Sequence, residues 1–264
     1  MPEVAENPGK NLDIRNETWN FDSHFREYLL LLARKGESAL ESSDHFPLEI
    51  ELNPIWHKAM ARLFKETNDG KERLALIGFK SDMRELVIPE VFGIGEDRNI
   101  NNGFRASIPG SVYSTEMEKA KKENGVVGLV GDIHTHPIDP ITLWVRDRFG
   151  SSRNFDGDGG FSAGDLYFLV SKRGMSLPMM GVVDGKESFF AFKTRQTKYI
   201  PDALSMDDFE KYWYEKVNIF KKGGSSYFLN RLIAKEHNLA FYRGLPDENL
   251  KRIYPIWLDI KKST

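Results

Sequence analysis

From Val126 to Ile133 the chain is apolar and reads as a buried strand, and it runs without a break into His134-Thr135-His136-Pro137. Side chains on a strand alternate faces, so His134 and His136 point the same way, and Pro137 ends the strand beside them. Two imidazoles on one face can share a metal ion. A His-x-His pair at a strand end can also be just two polar residues. The setting favours the metal, because an apolar strand that empties into a glycine-rich loop is where a rigid scaffold carries a site.

Composition narrows the donors for such a site. The 264 residues include no cysteine, so there is no disulfide, no thiol nucleophile and no Cys-type zinc finger. Any metal must be held by His, Asp and Glu. The 37 basic and 39 acidic side chains nearly cancel, at net −2, and are scattered along the chain. That balance gives no electrostatic reason to expect nucleic acid or a membrane surface as partner. Met1-Pro2-Glu3-Val4-Ala5-Glu6 is acidic and polar where a secretory signal starts basic and then apolar, and the apolar run Tyr28 to Ala33 is too short to span a bilayer. The expectation is a soluble, cytoplasmic protein with one core and extensions.

Around the central strand the pattern alternates between helix and strand, the mark of an α/β protein. Phe21, Phe25, Tyr28, Leu29 and Leu32 have helical spacing. Phe46 to Leu52 reads as a strand, and Asn53-Pro54 starts a helix expected to turn Ile55, Met60, Leu63 and Phe64 inward. Strands are expected at Leu74 to Phe79 and Glu85 to Phe92, followed by a long loop over Gly93 to Pro109. Thr115 and Glu118 form a capping-box pattern for a charged helix ending near Glu123. A helix from about Ser162, a hairpin over Pro178 to Phe192 and a mostly helical tail from Ser205 complete the chain. Along that tail Phe209, Trp213, Val217 and Phe220 have helical spacing and read as packing on the core. His24, His45 and His57 have no partner at ligand spacing and read as surface or boundary residues.

The second chemical element is Ser162-Ala163-Gly164-Asp165, opening an apolar segment at Leu166, Phe168, Leu169 and Val170. Ser-x-x-Asp in that position is a capping box. The same residues suit a metal ligand, since a carboxylate at a helix N-terminus is oriented by backbone donors. With His134, His136 and Pro137, the residues Ser162 and Asp165 resemble the signature of the JAB/MPN, or JAMM, family of zinc metallopeptidases. The resemblance covers residues 46–195 and includes the order of elements.

It implies a JAB/MPN-like (cytidine-deaminase-like) core, a mixed β-sheet flanked by helices, with helical extensions at 1–45 and 196–264. It also implies one Zn2+ per chain on His134, His136 and Asp165, with a water in the fourth position. Glu72, at the entrance to the strand that follows the first core helix, matches the family's catalytic Glu. The acidity of Glu72 does not select it over Glu85, Glu90 or Glu96; the resemblance does. In that scheme Glu72 is general acid and base, and Ser162 hydrogen-bonds the oxyanion. The implied reaction is peptide or isopeptide hydrolysis, with ubiquitin or a ubiquitin-like protein, or a sulfur-carrier-like protein, in the substrate. Some family members are non-catalytic scaffolds, and that class stays open.

The chain departs from the family pattern at residues 138–161, an insertion within the metal loop. It reads either as a flap carrying Trp144 and Phe149 over a substrate channel or as a surface loop. Asp156-Gly157-Asp158 starts like a calcium loop, but Tyr167 stands where the bidentate Glu belongs. Gly160-Phe161-Ser162-Ala163-Gly164 matches the Gly-x-Ser-x-Gly elbow of serine hydrolases, yet the preceding residues are polar and His237 is the only later histidine.

Overall fold

The computed structural model describes residues 18–35, 40–66, 72–82, 86–87, 93–94, 96–100, 103–107, 110–136, 160–172, 177–184, 187–209, 211–212, 226–245 and 247–253. In chain order, β1 (Thr18–Asn20) leads through a π-helical turn at Phe21–Phe25 into α1 (Arg26–Lys35). There follow β2 (Glu49–Glu51), α2 (Pro54–Glu66), β3 (Arg73–Lys80), β4 (Leu86–Val87), β5 (Gly93–Ile94), β6 (Glu96–Ile100) and β7 (Gly103–Ser107). Then come α3 (Gly110–Asn124), β8 (Val126–His136), α4 (Ala163–Val170), β9 (Met179–Asp184), β10 (Glu187–Phe192), α5 (Ser226–Glu236), β11 (Ala240–Gly244) and β12 (Leu250–Arg252).

Ten of the strands form one mixed sheet in the order β1-β2-β12-β11-β10-β9-β8-β3-β4, with β5 also on β3. The pairs β1–β2 and β8–β9 are parallel and the others antiparallel. The α/β expectation is therefore met. Alternation along each strand splits the core in two. On β10, Phe190 and Phe192 join one cluster with Phe25, Leu29, Trp56, Met60 and Leu63 from α1, α2 and the π turn. Phe189 and Ala191 face the other way, into Leu166, Leu169, Val170, Ile233 and Ala234 of α4 and α5. Helices thus cover both sheet faces, and the strands between them read as nearly continuous apolar runs.

Several expectations change at this level. On α2 the buried stripe is Trp56, Ala59, Met60 and Leu63, while Ile55 is 61% exposed and Phe64 39% exposed. The helical period was right, but Trp56 fixes its phase by packing on Phe190 with ring centroids 6.0 Å apart. Helix α3 starts at Gly110, so Thr115 lies inside it and its hydroxyl donates to Ser111 O (2.9 Å) instead of capping. The stretch expected as a long loop contains β5 and the two-stranded β6–β7 ribbon, whose register from Glu96↔Ser107 to Ile100↔Gly103 leaves only Asn101 and Asn102 between the strands.

Neither terminal segment is a mere helical appendage. Trp19 of β1 is buried with Tyr28 and Phe46, and Phe25 meets Phe192 edge-on at 5.6 Å. At the other end, β11 pairs with β10 and β12 pairs with β2, so the tail supplies the middle of the sheet. A five-residue and a three-residue strand are too short for periodicity to tell them from helix. Phe209 is buried as expected, whereas Trp213, Val217 and Phe220 lie outside the described residues. His24 and His45 are exposed and His57 is half-buried. Among the described residues no helix is long and apolar enough to cross a membrane.

Candidate metal centre

Strand β8 sits between β3 and β9, with His134 opposite Leu74 on one side and Val182 on the other. Val182 belongs to the cluster under α4 and α5. Asp132, His134 and His136, spaced by two along the strand, therefore line the face that α4 approaches. His134 and Asp132 are buried at 7% and 3% exposure.

The start of α4 is built to deliver Asp165 there. Gly160 has φ +133, a conformation that L side chains rarely adopt, and it leads into buried Phe161. The buried side chain of Asn230, on α5, clamps the Phe161 backbone from both sides: Phe161 N donates to Oδ1 (2.7 Å) and Nδ2 donates to Phe161 O (3.1 Å). Ser162 is then the N-cap of α4, with Asp165 N donating to its Oγ (3.2 Å) and Ser162 N donating to Asp165 Oδ2 (2.7 Å). The capping box is complete, and it fixes the Asp165 carboxylate on the β8 side of the helix.

There the two halves of the pattern meet. His134 Nε2 lies 3.1 Å from Asp165 Oδ1, and His136 Nε2 lies 3.1 Å from Asp165 Oδ2. The imidazole centroids are 5.2 Å apart, and donor atoms of the three residues all fall within 4.8 Å of one another. The group can hold a metal ion. His134 Nε2 is buried and lacks a properly aligned hydrogen-bond partner even though Asp165 is in contact range. A buried nitrogen without an aligned donor or acceptor, flanked by a second imidazole and a carboxylate, fits a metal ligand. The donor set, two nitrogens and a carboxylate, suits Zn2+. With both histidines neutral, Asp132 and Asp165 leave two negative charges, the complement of a divalent cation.

Burial disfavours a charged His134, but the negative charge of Asp165 and the hydrogen bond to Asp132 outweigh it and push its pKa up to about 10. For Asp165 burial acts upward, and the two imidazoles override it to hold the carboxyl well below the usual range. Comparison with protein-family models and with curated proteins finds no match to this chain. The site must be read from its own chemistry.

Glu72 stands one residue ahead of β3 and is half-buried. The pairing of β3 with β8 ends at Leu74↔His134, so Glu72 lies just beyond the paired end of β3 that adjoins the histidines. Of the other candidate carboxylates, Glu85 and Glu90 lie outside the described residues, and Glu96 begins β6. The proposed flap residues Trp144 and Phe149 also lie outside the described residues.

The serine-hydrolase reading loses its parts. Ser162 has the extended backbone of an N-cap (φ −71, ψ 168), and His237 directs its Nδ1 to Lys198 O. Tyr167, at the failed calcium position, is buried in the core. Sequence reasoning missed Asp132, Tyr113 and Asn230. Of these only Asp132 carried a signal, a lone charge two residues before His134 in an apolar strand.

Proposed function

We propose that this chain is a zinc-dependent peptidase or isopeptidase of JAB/MPN type that acts on ubiquitin-like conjugates. The observation that carries the reading is the convergence of His134, His136 and Asp165 around an orphaned buried imidazole nitrogen. Three protein ligands leave room for a water, the pattern of catalytic centres as opposed to structural ones. The chemistry a bound zinc supplies is Lewis acidity, polarising a carbonyl and lowering the pKa of a water toward neutrality.

The chain's own residues account for the rest. His134 and Asp165 are fixed by the Asp132 hydrogen bond and the capping box, so the ligands are preorganised. Glu72, one residue ahead of β3, would accept the proton of the attacking water and return it to the leaving amine. The Ser162 hydroxyl accepts from Asp165 N and still has its hydrogen to donate to the carbonyl oxygen as that oxygen gains charge.

The test is metal analysis of chain purified without chelator, alongside Glu72→Gln and His136→Ala variants assayed on ubiquitin-like fusions. About one zinc per chain is expected in the wild type. His136→Ala should lose it, and Glu72→Gln should keep it while losing activity. A metal-free wild type overturns the reading. A zinc-loaded Glu72→Gln that still cleaves overturns the role of Glu72.

A further inference from the structure

The face that carries the metal ligands also carries a charged pair that ligation alone does not require. Asp132 is buried in the middle of an apolar strand, and a carboxylate there is costly unless its oxygens are satisfied. Both are. His134 Nδ1 lies 3.1 Å from Oδ1, and the Tyr113 hydroxyl, reaching across from α3, donates to Oδ2 at 2.8 Å. The residues form one line, Tyr113 to Asp132 to His134, that ends at the orphaned Nε2.

We infer that Asp132 and Tyr113 are positioning residues for the metal: the Asp132 carboxylate holds the proton of His134 on Nδ1, and Tyr113 holds the carboxylate. An imidazole has one lone pair to give when neutral, and the nitrogen that gives it is set by the hydrogen bond the other makes. A carboxylate accepting from Nδ1–H leaves Nε2 as the free donor, fixes the ring plane and makes the ligand more basic. Tyr113 matters because an Asp132 side chain bonded at one oxygen alone can rotate about its last torsion and carry the imidazole with it. The donor at Oδ2 comes from a different element, so α3 and β8 together define the carboxylate plane.

The inference rests on the metal reading, and one experiment separates the two. The full chain is stripped of metal, and zinc affinity is measured by chelator competition for the wild type, Asp132→Asn and Tyr113→Phe. Melting temperatures are recorded in parallel. Asp132→Asn should bind zinc about 10- to 100-fold more weakly, the range found for partners of ligating histidines. Tyr113→Phe, which leaves Asp132 Oδ2 without its donor, should weaken binding several-fold and lower the melting temperature of the metal-free form by a few degrees.

A structural role alone would not decide which ring nitrogen of His134 carries the proton. Long-range proton–nitrogen NMR of the zinc-loaded wild type should show His134 protonated on Nδ1 and ligating through Nε2. Unchanged zinc affinity in both variants, or zinc on Nδ1 of His134, overturns the inference while the metal centre stands. If Asp132→Asn does not fold, an unaltered affinity in Tyr113→Phe together with the wrong tautomer overturns it. A wild type that takes up no zinc overturns the metal reading and this inference with it.

Discussion

Ser162 combines two tasks in one hydroxyl. As N-cap it satisfies a backbone donor at the start of α4, and the same hydroxyl is the proposed donor to the oxyanion. The two tasks separate under substitution. Ser162→Ala removes the cap acceptor and should cost about 1 kcal/mol of stability, a melting shift of a few degrees. It should leave zinc stoichiometry near one and reduce turnover by about 10²–10³-fold, the effect of removing one oxyanion donor. Ser162→Thr keeps both the cap and the hydroxyl and should restore most of each. Thermal melts, zinc content and cleavage of a ubiquitin-like fusion measure the three quantities on one preparation. If the alanine variant loses activity only in proportion to lost zinc, Ser162 is a cap and nothing more. Lys193 is the opposite kind of residue, a buried cation whose Nζ has no hydrogen-bond partner among the described residues and lies 5.5 Å from the Tyr199 ring centre. Its role becomes visible only through the pH dependence of the whole fold.

Helix α4 depends on α5 for its position, and the dependence runs through Asn230. This side chain stands in for a strand neighbour, satisfying both the N–H and the C=O of Phe161 just ahead of the cap. Asn230→Ala leaves two buried backbone groups unpaired, at a cost of about 2–4 kcal/mol. Urea unfolding should show that loss, and the variant should bind zinc more weakly because Asp165 is no longer held. Full zinc affinity in Asn230→Ala would mean that the capping box alone fixes Asp165. This coupling could not be read from the sequence, because Asn230 follows Phe161 by 69 positions and only the packing of α5 brings it there. What was legible is local. The β8 run ends in two histidines on one face, and Ser162 with Asp165 forms a capping box within four residues. The strands β11 and β12 were not legible, since their evidence is pairing such as Leu250↔Ile50 across most of the chain. Tyr113 was hidden in the same way, on a helix whose apolar signal says nothing of which strand it covers.

At the scale of the whole molecule, two buried cations bend the pH–stability curve in opposite senses. His134, with its folded pKa raised from 6.5 to about 10, binds a proton more tightly in the fold than in the unfolded chain. Its contribution to the metal-free protein is complete below pH 6.5 and is lost as pH rises toward 10. For Lys193, burial lowers the folded pKa from 10.5 to about 8. The fold must carry the full cost of a buried ammonium below pH 8, and that cost fades as pH rises to 10.5, where the unfolded chain also loses its proton. Stability from this group therefore rises with pH over that window. The total for Lys193 is on the order of 3 kcal/mol. Over the overlap of the two windows the wild-type curve mixes both effects, so the difference between wild type and Lys193→Met isolates the lysine. Methionine keeps the stem and removes the charge, which makes the variant more stable than wild type at pH 7 by about that amount. The gap should close steadily above pH 8 and vanish near 10.5. Urea unfolding of both proteins at several pH values, with zinc removed, reads the gap directly. A gap that stays constant across the range would show that the methionine acts through packing and that the lysine titrates alike in the folded and unfolded chain.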